Sequence, residues 1–211
     1  FLLSSRTITM EENDKEEMNS YIQTSTQNYV SRKAVVEQPS RVELKGKSIL
    51  EEDCILRGDL AVIRMGRYCY VGSRTELSPA PADSEDDNAE TTTTTTTTAT
   101  SNRQKLYIPM IVRGNVYIGP DCKIEASAIG TNVYIGARSC IGPRCILKDN
   151  VYVEEGTVLG SDTVIPPFSR VRGNPGKIVT SGESLPPSAA MELQELAHTT
   201  FHTFVTGNKM R

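Results

Sequence analysis

The sequence predicts an all-β, single-chain parallel solenoid closed by one C-terminal amphipathic α-helix. The main observation is a column of aliphatic residues six apart: Ile129, Ile135, Ile141, Leu147, Val153, Leu159, Ile165 and Val171. A six-residue period fits neither the 3.6 period of a helix nor the alternation of one long strand, so each hexad is a short strand plus a turn. Four residues after each anchor stands a small or β-branched residue, Val133, Ser139, Cys145, Val151, Thr157, Thr163 or Ser169. The residue directly after the anchor is Gly at 130, 136, 142 and 160, which suits either a positive φ or close approach of another coil.

Taken in chain order, residues 1–20 form an acidic N-terminal extension, expected to be disordered, with two basic and five acidic residues. Because the chain opens on Phe1, Met10 and Met18 are candidate true starts. Residues 21–78 hold a lead-in segment and the first coils. The stretch from Tyr21 to Arg41 is polar with scattered Val and Tyr and is expected to lie across the first coil, since a solenoid end exposes strand edges and apolar interior. Leu44, Leu50 and Leu56 then carry Ser48, Cys54 and Leu60 four residues on. After a slip near Val62 the anchors resume at Met65, Val71 and Leu77.

Residues 79–105 interrupt the repeat with Asp83, Glu85, Asp86, Asp87 and Glu90 and an unbroken Thr run from Thr91 to Thr98. Such a segment cannot bury enough apolar surface to offset its ordering entropy, so a disordered loop leaving a corner is expected. The remaining coils occupy 106–176. Ile118 and Ile124 are in register, with one five-residue step before Ile129. Residues 177–211 are linker, helix and tail. Pro186-Pro187-Ser188 marks the helix start, with Ser188 as N-cap. Leu193, Leu196, Ala197, Thr200, Phe201 and Phe204 follow as one apolar stripe, for packing on the solenoid or for binding a partner.

The net charge is −3 over 211 residues, too weak and dispersed for a nucleic-acid footprint. No apolar run approaches the roughly 20 residues of a membrane span, and a soluble, cytosolic protein without membrane insertion is expected. Five cysteines, Cys54, Cys69, Cys122, Cys140 and Cys145, contain no C-x-x-C pair. Four of them fill the small position of the hexad, so they read as buried apolar groups.

Hexapeptide solenoids serve acyltransferases and γ-class carbonic anhydrases, both of which need histidine within the repeats. Arg57-Gly58-Asp59, Ile63-Arg64-Met65-Gly66 and Val116-Tyr117-Ile118-Gly119 resemble the γ class. Where that family's second and third histidines would fall, this chain has Pro120 and Glu125. The two histidines it does have, His198 and His202, lie roughly 140° and 180° around the helix from Leu193 and are expected to face solvent. Arg57 and Asp59 read as an ion pair, internal or interfacial, with anion binding as the alternative. No catalytic, cofactor or metal residue is assigned; Arg57, Asp59, Leu193, Leu196, Phe201 and Phe204 are candidate interface residues.

Several longer stretches, Asp53-Cys54-Ile55-Leu56-Arg57-Gly58-Asp59-Leu60, Cys140-Ile141-Gly142-Pro143-Arg144-Cys145-Ile146-Leu147-Lys148-Asp149 and Val164-Ile165-Pro166-Pro167-Phe168, together resemble the dynactin subunit 5 family. The resemblance implies a left-handed β-helix and a non-catalytic structural role without cofactor in the pointed-end complex. It implies, as partners, a subunit 6-like solenoid, the larger pointed-end subunit and an actin-related protein cap, and through them dynein and cargo adaptors such as those of endosomes. It further implies a cytoplasmic, microtubule-associated location. A γ-carbonic-anhydrase-like or acyltransferase-like enzyme is the alternative.

Overall fold

A computed structural model describes residues 20–82, 105–178 and 184–210. Apart from their outermost residues, the N-terminal extension and the Thr-rich insert therefore lie outside the described residues. The described chain winds as a left-handed parallel β-solenoid whose three faces are sheets of nine, six and six strands. Most strands are only two or three residues long. Such strands persist because each interior one pairs with the coil below and the coil above, about 4.8 Å away, while those of the end coils in the two six-stranded sheets are held from one side.

The inward column is continuous. On the first face Leu50, Val71, Ile118, Ile135, Val153 and Val171 are in register. On the second face the column is Leu56, Leu77, Ile124, Ile141 and Leu159. On the third it is Leu44, Met65, Val112, Ile129, Leu147 and Ile165. All of these except Leu44 are buried, and together with Cys54, Cys69, Cys122 and Cys145 they belong to one core cluster. Three hexads therefore make one coil, and the six-residue anchor falls once on each face. Val112, six before Ile118, is the rung that brings the chain back into register after the insert; the Thr-rich interruption conceals it in the sequence.

The first coil begins earlier than the repeat suggests. Tyr29–Ser31, Val35–Glu37 and Val42–Gly46 are its three strands, with Val30 facing Leu50 and Val36 facing Leu56. Among the described residues of the expected lead-in, Tyr21–Gln23 lies across it, antiparallel to Tyr29–Ser31. Its inward residues are eight apart at Val36 and Leu44, because a 3-10 turn at Pro39–Arg41 lengthens the corner. A similar expansion after Arg57 accounts for the slip near Val62.

The corners separate the two roles offered for glycine. Gly119, Gly130, Gly136 and Gly142 are close-approach positions: a Cβ at Gly136 would meet the Glu155 backbone nitrogen at 2.5 Å, and one at Gly119 would meet that of Ala137 at 2.6 Å. The positive φ falls two residues later, on Asp121, Asn132, Arg138, Arg144, Asn150 and their equivalents. Asn and Asp accept this region more readily than most residues. Where Asn recurs at one corner, Asn115 donates to Asn132 and Asn132 to Asn150, each at 3.0 Å.

The insert leaves through a closed stem. Ala82 N–H donates to the Leu106 carbonyl and Ile108 N–H to the Ala80 carbonyl, both at 2.8 Å. Its two ends are thereby held side by side, and the coil resumes at Met110–Val112.

Candidate docking surfaces

The outward residues of the first face form an aromatic column: Tyr70, Tyr117, Tyr134 and Tyr152, with ring centroids 4.8, 5.0 and 4.6 Å apart and nearly parallel planes. Strict in-register pairing imposes this spacing, since each ring sits one coil above the last. Arg170 continues the column above Tyr152, its guanidinium 5.7 Å from the ring centroid.

The helix Ala189–Met210 lies on this face. At its C-terminal half Phe201 packs on Tyr29 and Tyr68 at 6.0 and 5.6 Å, and Phe204 on Tyr21 and Tyr29 at 5.0 and 5.3 Å. Ala189, Leu193, Ala197 and Phe201 are buried, and outward-pointing Ile49 is only 1% exposed. The apolar stripe is therefore spent largely within the molecule. Leu196, expected on the same stripe, is 39% exposed and borders a groove of about 470 Å³ between the helix and Tyr152 and Arg170.

His198 departs from expectation. Its ring stands 4.0 Å from that of Tyr68, tilted by 32°, instead of facing solvent. Tyr68 rises from a corner at φ 57°, reaching a flank of the helix that its apolar stripe does not mark. Lys47 donates to the Tyr68 hydroxyl at 2.8 Å and completes this small cluster. His202 is exposed.

Arg57 and Asp59 form the ion pair, two-pronged at 2.9 and 2.8 Å across the expanded corner. The guanidinium holds the Asp59 carboxyl below its ordinary range. Close by, at the stem of the insert, a polar groove of about 400 Å³ is lined by Arg57, Lys123, Glu125 and Arg144. Its charges are matched internally: Lys123 pairs with Glu125 at 3.2 Å and Arg144 with Asp162 through two 2.6 Å contacts. Pro120 stands at a corner, and its carbonyl accepts the Arg138 N–H. Among the described residues no group of three His, Cys, Asp or Glu side chains is arranged around a common point where a metal could sit.

Burial pushes the Cys54 and Cys69 thiols up to about 12 and raises those of Cys122 and Cys145. Cys145 donates to the Gly160 carbonyl at 2.9 Å, so burial holds these sulfurs in the thiol form, where they fill the interior. On the third face the outward column Ile111, Ala128, Ile146 and Val164 is aliphatic, with Ile111 44% and Val164 53% exposed. The hexad gives no sign of this column, because its anchor spacing marks inward positions only.

The sequence profile of the family "Dynactin subunit 5" matches residues 12–86 and 97–207. A protein of that name from Dictyostelium discoideum is 31% identical over 115 residues, 54% of this chain and 50% of the relative. The match thus spans about half the length of that curated relative. Among solved structures, a mutant of AntD, an N-acyltransferase from Bacillus cereus in complex with dTDP and coenzyme A, aligns at a TM-score of 0.54 with 16% identity, covering 94% of this chain and 100% of the other. A hexapeptide transferase family protein from Anaplasma phagocytophilum aligns at 0.51 with 15% identity, covering 85% and 92%. Those two likenesses speak for the fold. The profile takes in every coil of the solenoid and the helix that lies on it, and the chain belongs to the dynactin subunit 5 family.

Proposed function

We propose that this chain is a non-catalytic structural subunit of dynactin, placed in its pointed-end complex, where flat solenoid faces dock other subunits and so support dynein-driven transport and cargo attachment. Family membership is the observation that carries this reading. The side chains are consistent with it: at the positions where γ-class imidazoles would stand, proline has no side-chain donor, and Glu125 is engaged by Lys123 at 3.2 Å. The outward aliphatic column on the third face and the Arg57–Asp59 corner are the surfaces available to neighbouring subunits. Of the helix candidates, Leu196 is the one left to meet a partner, since Leu193 and Phe201 are buried against the solenoid and Phe204 is half-buried. The working location is the cytoplasm, on the microtubule cytoskeleton.

Affinity purification of the tagged full-length protein from its own cells tests this, with the native mass and zinc content of the product measured alongside. The expected result is a metal-free assembly containing a second hexapeptide-repeat protein and actin-related proteins. A homotrimer carrying stoichiometric zinc, or a free-standing solenoid that brings none of those partners, overturns the proposal.

A further inference from the structure

The three faces of the solenoid differ in what their outward columns carry. On the first, the tyrosine column lies beneath the chain's own helix. On the second, the column runs Val35, Ile55, Glu76, Lys123, Cys140 and Val158, so its middle rungs are charged. On the third, four successive rungs are aliphatic, Ile111, Ala128, Ile146 and Val164, and the large side chains at both ends of the strip, Ile111 and Val164, are exposed.

A second outward column borders that strip. Side chains alternate along a strand, so the residue two after each aliphatic one points outward again: Arg113, Gly130, Lys148 and Pro166. The Arg113 and Lys148 N–H groups are still in the ladder, donating to the Ile129 and Ile165 carbonyls at 2.9 and 3.0 Å, which fixes both residues at the strand ends. Both side chains are exposed, and among the described residues no ion pair engages either. The other charges around the strip are already engaged. Arg64, one rung below Ile111, pairs with Glu43 at 3.1 Å; Arg144, at the opposite edge, pairs with Asp162; and the Asp149 carboxyl accepts the Thr131 N–H at 2.7 Å.

We propose that this face seats an amphipathic helix of a partner protein, its apolar stripe edged by two carboxylates seven residues apart that meet Arg113 and Lys148. The inference rests on the reading that the solenoid faces dock partners, and it names the chemistry of one of them. At the rungs of Ile111, Ala128 and Ile146 every strand is paired on both sides, so an added strand finds no free backbone groups and recognition falls to side chains. The chain itself shows which element suits such a face, since Leu193, Ala197 and Phe201 of its own helix are buried on the first sheet. Dimensions agree: four rungs about 4.8 Å apart span about 14 Å, the length of about ten helical residues. Arg113 and Lys148 are two rungs apart, about 10 Å, and helix positions i and i+7 lie on one side about 10.5 Å apart. A second copy of this face carries the same two cations and no acid to meet them.

The photo-crosslinking residue p-benzoylphenylalanine, placed at Ile111 or separately at Val164 in the tagged full-length protein, tests this after irradiation in its own cells and sequencing of the crosslinked peptide. The expected adduct is a helical segment of another protein, with apolar residues three or four apart and Asp or Glu at two positions seven apart. An adduct with a second copy of this chain, with a lipid or with a segment lacking that acidic pair overturns the proposal, as does no adduct at either site. Arg113→Glu with Lys148→Glu in the same protein is the second arm. Adduct yield is expected to fall about tenfold or more, while the melting temperature stays unchanged because both side chains are exposed. Unchanged yield overturns the proposal. Actin-related proteins are measured in the same purifications: their retention without the expected adduct overturns this inference alone, whereas the expected adduct in their absence overturns the dynactin assignment and leaves this surface standing.

Discussion

Gly136 and Gly160 hold the same place in the hexad and differ in what lies above them. A Cβ at Gly136 would meet the Glu155 backbone at 2.5 Å, whereas at Gly160, on the last coil, nothing lies within 4 Å. Gly136→Ala is therefore expected to cost about 1–3 kcal/mol by urea denaturation. Gly160→Ala is expected to be neutral or stabilising by up to about 1 kcal/mol, through the unfolded chain; equal effects at the two sites would contradict the coil order. Leu147 is 1% exposed between Ile129 below and Ile165 above. Leu147→Asp must bury a carboxyl without a partner, and a loss of more than about 4 kcal/mol is expected. An unchanged melting temperature would mean that the side chain does not point inward.

At the scale of elements, the solenoid and the helix draw on separate sources of stability. Among the described residues no helix side chain belongs to the solenoid core cluster, and the helix is held by ring contacts with Tyr21, Tyr29 and Tyr68. Phe201→Ala removes the buried ring at the centre of that contact and is expected to weaken helix docking by about 3–5 kcal/mol. Limited proteolysis should then cut within residues 189–207 while the solenoid keeps its melting temperature. If both melt earlier together, the helix is part of the cooperative core. The stripe of Leu193, Ala197 and Phe201 made the helix legible in the sequence. That Leu196 would border a groove and His198 would meet a tyrosine was not legible, because both depend on how the helix sits across a sheet built from residues far away in the chain.

Over the whole molecule, ion pairs bridge neighbouring coils at the corners: Lys33 to Glu52, Arg74 to Asp121, Arg138 to Glu155 and Arg144 to Asp162. Hydrogen bonds from Arg74 and Arg144 hold the Asp121 and Asp162 carboxyls below their ordinary value. A carboxyl whose folded value is depressed stabilises the fold above its unfolded value, about 3.9, and that contribution is lost as pH falls through the folded value. The melting temperature is therefore expected to be level above about pH 5 and to drop below about pH 4, less steeply in high salt because both carboxylates are open to solvent. A drop that begins near pH 6 would point instead to histidine.

The aliphatic period by itself determined the solenoid, its inward columns and the burial of four cysteines, since inward and outward positions are set locally by each two-residue strand and repeat with it. Val30, Val36 and Val112 escaped the period for the converse reason: lengthened corners and a long insert break the count without breaking the register, which only pairing with the next coil restores. The assignment of close approach to glycine and of positive φ to Asn, Asp and Arg, the aromatic column beneath the helix, and the aliphatic column on the third face belong to the tertiary structure. Each depends on the distance between backbones many residues apart, which a one-dimensional spacing does not contain.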